Sequence, residues 1–186
     1  DVQYPAPGNP ALALETVELI HSAHVELDHD GGFDHGAWTV VRRMYADAKI
    51  PVLQLSIDYT KPPQYHYDLA KELYGLRKKG VLIIGSGNMV HNLRMVSWNK
   101  MNENYGYDWA LQMNDTFKRL IINGDYRSLI NYESFGAESR LAIPTPEHYL
   151  PLLYSLGLKG NNDSISFFND KAMAGSLTMT SVLIEN

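Results

Sequence analysis

The sequence predicts a single α/β domain, with a central, mostly parallel or mixed sheet flanked by helices. Three observations predict it. PVLQLSID, from Pro51, and VLIIGSG, from Val81, are short apolar runs with the β-branched content of buried strands. Stretches with helical spacing alternate with these runs, the pattern of α/β domains. Gly and Pro punctuate the boundaries, and no repeat, low-complexity tract or linker breaks the order. The 186 residues suit one domain, whose usual size is about 100–200 residues.

The elements follow in order. Pro5, Pro7, Gly8 and Pro10 hold the opening extended and turn-like. Asn9 is placed to cap a helix whose first residue is Pro10. Leu12, Val17, Leu19 and Ile20 recur at helical spacing and carry that helix from Ala11 to near Ala23. HVEL, from His24 to Leu27, is a short strand candidate. DHDGGFDHG is a loop, too dense in Asp and Gly for regular structure, and Gly36 to Tyr45 forms the helix behind it. Pro62 and Pro63 open a helix that runs to Lys79, with Gly80 as its stop. VLIIGSG is the clearest strand, expected at the centre of the sheet and covered on both faces. Its loop carries GNMVHNLR. Asp108 to Ile122 reads as a helix and Asp125 to Asn131 as a shorter one. TPEHYLPLLYSLG is a proline turn and then a helix that Gly157 stops. ISFF and SLTMTSVLI close the chain as two strands.

Composition narrows the function. A net charge of −5 without a basic patch argues against a nucleic-acid partner. No apolar run approaches the ~18 residues of a membrane span. Hydrophobic residues at 45% and charged residues at 20% are ordinary for a soluble globular chain, so a cytoplasmic location is the default expectation. The chain starts at Asp1 and shows no signal-peptide pattern. Cysteine is absent, which excludes disulfides and thiolate zinc sites. Any metal must be held by His, Asp, Glu or backbone oxygen.

The histidines are therefore the residues to weigh. Sites in open α/β sheets lie past the C-terminal ends of strands. His91 follows VLIIGSG in a glycine-bearing loop, which suits a pocket wall; the plain alternative is a core histidine bonded to a carbonyl. His35 follows Asp34, a carboxylate able to orient or charge an imidazole; the alternative is a turn residue capping the next helix. His148 stands beside Glu147 at a helix start, where the helix dipole disfavours imidazolium and leaves a ring able to bind a metal; the alternative is an ordinary first-turn polar residue. His21 and His24 stand three apart, a spacing that shares a face on a helix, but no carboxylate completes a site, so they read as surface residues. His29 lacks context. His66, in QYHY, reads as packed or solvated. GSGN lacks the full phosphate-binding fingerprint and is not a nucleophile elbow, so Ser86 is a poor nucleophile.

YPAPGNPALA, GFDHGAW, VLQLSID, GSGNMVHNLR, TPEHYLPLLY and GSLTMTSV occur in one order along nearly the whole chain. In these motifs the chain resembles the 4,5-DOPA extradiol dioxygenase family, of the LigB-type class III extradiol dioxygenases. The resemblance implies a mononuclear metal site that opens catechol rings next to the diol with dioxygen. It implies that His91 and His148 lie at or beside the metal, His148 as a ligand and His91 as a ligand or an acid–base group. His35 would line the same pocket and share the proton transfers. Fe(II) is the metal expected for activity, and Zn(II) can occupy the same nitrogens without redox chemistry. Trp38, Trp98, Tyr149 and Tyr154 are the aromatics available to a catechol pocket, with core packing as the plain reading of each.

The family's HGSP-type and SAHW-type motifs, which supply two further ligands, have no counterpart here. HSAHV comes after YPAPG, whereas the family motif precedes it. The expectation is that residues 1–186 are the C-terminal part of one catalytic domain, lacking its N-terminal strands. The missing portion or a partner chain would then complete the metal site. Two other readings stand beside this one: a non-catalytic binding protein or fragment on the same fold, and a metal-dependent hydrolase using zinc-activated water.

Overall fold

The most apolar helix sets the layout. In the computed structural model, which describes residues 3–186, the helices are α1 (Pro10–Leu19), α2 (His35–Met44), α3 (Pro63–Glu72), α4 (Tyr74–Arg77), α5 (Asp108–Ile122), α6 (Tyr126–Ile130), α7 (Ala137–Ala142) and α8 (Leu150–Gly157). The strands are β1 (Ser164–Phe168), β2 (Ala172–Met173), β3 (Leu177–Thr178) and β4 (Ser181–Glu185). α8 is apolar all round and buries two faces. Leu150, Leu153 and Leu156 enter one core and Tyr154 enters another, joined there by Leu158 just past the helix. A helix with no polar face has to be covered on both sides.

The first core is the larger. α5 sends in Ala110, Met113, Phe117 and Ile121, one stripe at helical spacing. α6 adds Leu129 and Ile130, α7 adds Ala142, and Met89 and Val90 arrive from the loop after residue 87. β1 and β4 pair antiparallel, with Ile165 opposite Ile184 and Phe167 opposite Val182. Those four side chains alternate onto one face and pack on this core. The second core joins Ile20, Leu69, Ala70, Leu73 and Leu76 to Tyr154 and Leu158.

Several expected elements are present in altered form. Asn9 caps α1 by accepting from the Leu12 N–H, but the helix ends at Leu19, because Ile20 turns extended and drops into the second core. The helix expected over residues 63–79 breaks at Leu73 into α3 and α4, and the break lets Leu73 and Leu76 both reach that core. The closing SLTMTSVLI divides into β3 and β4. The sequence reading had no α7 and no β2.

The sheet is the larger correction. The α/β class holds, but the paired strands form two small antiparallel ladders, β1–β4 and β2–β3, rather than one central sheet. Residues 24–27, 52–58 and 81–87 run without a ladder partner among the described residues. Val81 and Ile83 pack on the second core with Leu55 and Ile57. Leu82 and Ile84, which alternate with Val81 and Ile83, are 58% and 39% exposed, and Leu53 is 38% exposed, so VLIIGSG is covered on one face and not two. Apolar content determines that such a run is extended and buries a face. It does not specify which strand lies alongside.

Candidate metal-binding and catalytic site

Two glycines bring the site together. A Cβ on Gly85 would lie 2.4 Å from the Pro151 carbonyl oxygen, and one on Gly87 would lie 2.1 Å from that of His148. Only glycine lets this backbone lie against the start of α8. The GSG of VLIIGSG is thus a close-packing device. The Asn88 N–H then donates to the His148 carbonyl at 2.8 Å and links the two histidine-bearing segments.

The His91 loop is pinned along its length. The His91 N–H donates to Ala142 O at 2.8 Å, and His91 bridges Leu177. On one side, the Asn88 amide donates to Thr178 O at 2.8 Å. On the other, the Asn92 amide donates to Leu141 O at 2.8 Å, and the Ser176 hydroxyl donates to Asn92 O at 2.7 Å. These asparagines were the part the sequence reading missed. Their signal was visible in GNMVHN, because Asn side chains readily bond nearby backbone and fix loops.

His148 ends a 3-10 turn, Pro146–His148, and is separated from α8 by Tyr149 rather than lying inside it. The Thr145 hydroxyl donates to the Glu147 carboxylate at 2.6 Å and closes that turn. The outcome is a face-to-face stack: the His91 and His148 ring centroids are 3.6 Å apart with planes 17° from parallel. His35 is the first residue of α2, which Asp34 caps by accepting from the Ala37 N–H at 2.8 Å. The Ser86 hydroxyl donates to Gly36 O at 2.7 Å and ties this helix start to the GSG loop. His35 is near enough for its charge to act on His148.

Electrostatics keep the stacked pair neutral. Burial pushes His91 below the usual histidine range, the His148 charge pushes the same way, and Glu147 opposes both. Burial likewise lowers His148, Glu147 opposes, and His35 lowers it further. Two imidazolium rings in this contact would repel. For Glu147, burial favours the protonated acid, but the Thr145 hydrogen bond and the two histidines outweigh it and hold the carboxyl below its usual range.

Neutral imidazoles are good donors for a divalent transition metal. In type, the pair fits such an ion. In number it falls short: among the described residues no group of three or more His, Cys, Asp or Glu is arranged to hold a metal, and mononuclear sites use three or four protein ligands.

The other expected residues lie elsewhere. His21 and His24 are past the end of α1, so they share no helical face, and His24 pairs with Glu26 at 2.8 Å in solvent. His66 is fully buried against Tyr154. Tyr149 and Tyr154 are core residues, the Tyr149 hydroxyl donating to Leu129 O at 2.9 Å. Trp98 is 71% exposed, and Trp38 lies half-buried on α2.

Comparison with known proteins identifies the family. Residues 1–180 match the family described as the catalytic LigB subunit of aromatic ring-opening dioxygenase. The chain is 44% identical, over 99% of its length, to a protein of Escherichia coli (strain K12) named 4,5-DOPA dioxygenase extradiol. It is 32% identical, over 95% of its length, to a Beta vulgaris protein of the same name. It spans about two thirds of these relatives, 68% and 66%. The crystal structure of an uncharacterized protein from Escherichia coli K12 superposes with a TM-score of 0.89 at 43% identity, covering 98% of this chain and 75% of that one. The chain therefore belongs to the family of catalytic LigB subunits of aromatic ring-opening dioxygenases.

Proposed function

We propose that residues 1–186 are the C-terminal part of a single extradiol dioxygenase domain. It opens a catechol-type, DOPA-like ring with O2 at a mononuclear, histidine-ligated metal in the cytoplasm. The observation that carries the reading is the stacking of His91 on His148 with His35 near enough for its charge to act on His148, three residues from distant motifs. The name shared by these relatives, 4,5-DOPA dioxygenase extradiol, supports the same chemistry.

In this reading His148 is a metal ligand, and His91 is a ligand or an acid–base group. The remaining ligands come from a further N-terminal portion or from a partner chain. An Fe(II) ion held by these nitrogens would supply Lewis-acid and redox chemistry for ring opening with O2; Zn(II) on the same nitrogens would supply no redox chemistry. The chain's own residues handle protons. A neutral imidazole accepts a catechol proton near pH 7 and later returns it. His91 suits the task because its backbone is held by Ala142 and Leu177, which leaves the ring little freedom to turn away. His35, on the start of α2, is the second proton carrier.

The test uses the natural full-length protein loaded with Fe(II). His148→Ala should lose both bound metal and oxygen uptake with catechols. His91→Ala should lose activity by about 10²–10⁴-fold, the usual worth of a general base, and should lose metal as well where it is a ligand. Normal ring cleavage by both variants overturns the assignment.

A further inference from the structure

We propose that the groove next to the histidine cluster binds the zwitterionic α-amino-acid end of the substrate, with Lys61 on the carboxylate and Glu133 on the ammonium. The proposal deepens the ring-cleavage reading and rests on it. The groove has a volume of about 530 Å³. Three segments wall it. The turn of residues 59–63 follows the extended run 52–58, where a site is expected. Residues 130–134 form a second wall, and Pro146 belongs to the turn that carries His148.

The groove and the histidine turn share a wall. The Tyr132 ring is 4.8 Å from that of Tyr149, the residue after His148. Burial raises the Tyr132 hydroxyl above its usual range, and the charges of Glu133 and Glu147 raise it further. One carboxylate faces the groove and the other faces the histidines. Pro146 and Tyr132 thus connect the groove to the turn that carries His148.

The charges are matched to a zwitterion. Lys61 and Glu133 line the same groove, yet neither takes part in an ion pair among the described residues. Both backbones are rigid. The Asp58 carboxylate accepts from the Thr60 N–H at 3.1 Å and from its hydroxyl at 2.5 Å, the Lys61 N–H donates to Asp58 O at 3.0 Å, and Pro62 and Pro63 follow. On the second wall, the Asn131 amide donates to Arg127 O at 3.0 Å, and the Gly136 N–H donates to Glu133 O at 3.1 Å. Opposite charges that line one groove without an ion-pair partner favour a ligand that brings both partners. A plain catechol brings neither.

The experiment compares L-DOPA with 4-methylcatechol, which lacks the amino-acid end, in the full-length Fe(II)-loaded protein. Lys61→Met and Glu133→Gln should each lower the ratio of kcat/KM for L-DOPA to that for 4-methylcatechol by about tenfold, the worth of one hydrogen bond to a charged group. Most of the change should lie in KM. An unmoved ratio in both variants overturns the proposal. Calorimetry with L-phenylalanine reads the groove without turnover. The wild-type protein should bind it at least ~tenfold more tightly than either variant does, and more tightly than it binds phenethylamine or 3-phenylpropionate. No saturable binding by the wild type overturns the subsite. A wild type that cleaves neither catechol overturns the ring-cleavage reading instead, and the calorimetry then decides the groove separately.

Discussion

At the scale of the residue, His66 shows how far position in sequence is from position in space. It stands in a tyrosine-rich helix start, yet it is fully buried. Its Nδ1 lies 3.2 Å from the Tyr154 hydroxyl, and its Nε2 has no partner among the described residues. Burial pushes its pKa below the ordinary value of 6.5, with the Lys61 backbone and the Asp58 carboxylate opposing. The sign follows from proton counting. With the folded pKa depressed, the unfolded chain binds more protons once pH falls below about 6.5. The contribution to stability is complete above that pH and is lost as pH falls through the folded value. The urea midpoint should therefore drop between pH 7.5 and 5.5. His66→Phe should remove part of that slope, while His91 and His148, shifted the same way, keep the remainder. An identical slope in the variant would show that His66 does not contribute.

At the scale of the element, the contact between the GSG loop and the start of α8 governs both packing and the site. Gly87→Ala places a Cβ against the His148 carbonyl, a backbone atom with little room to retreat. We expect a loss of about 1–3 kcal/mol, typical of overpacking, read from urea unfolding. Metal content should fall too, because His148 and Asn88 move together. Unchanged stability with full metal binding would refute the close-packing account. The same scale shows what was legible. Asp108–Ile122 was readable to the residue because its apolar stripe is long and regular. The break at Leu73 was not, because Leu73 and Leu76 turn toward a core made mostly by other segments.

At the scale of the whole molecule, the outer side chains of the unpaired runs are the largest departure from expectation. Leu53, Leu82 and Ile84 place apolar surface in water beside backbone that has no ladder partner among the described residues. Such faces and edges associate. The 186-residue chain should self-associate as its concentration rises, by light scattering. The double variant Leu82→Lys, Ile84→Lys should scatter less, with stability within about 0.5 kcal/mol, as for surface substitutions generally. A wild-type chain that stays monomeric at every concentration would contradict this. No helix among the described residues is long and apolar enough to cross a membrane.

By itself, the sequence determined the α/β class, the helices with regular stripes and good caps, and the order of motifs from which the family was readable and three candidate histidines were chosen. Those signals act over a few residues, so a linear string carries them. Tertiary structure decided the stacking of His91 on His148, the close approach that requires Gly85 and Gly87, the burial of His66 and the choice of antiparallel partners. Each of these depends on which distant surfaces pack together. Such packing is settled by mutual fit and desolvation across the whole chain, and no local pattern encodes it.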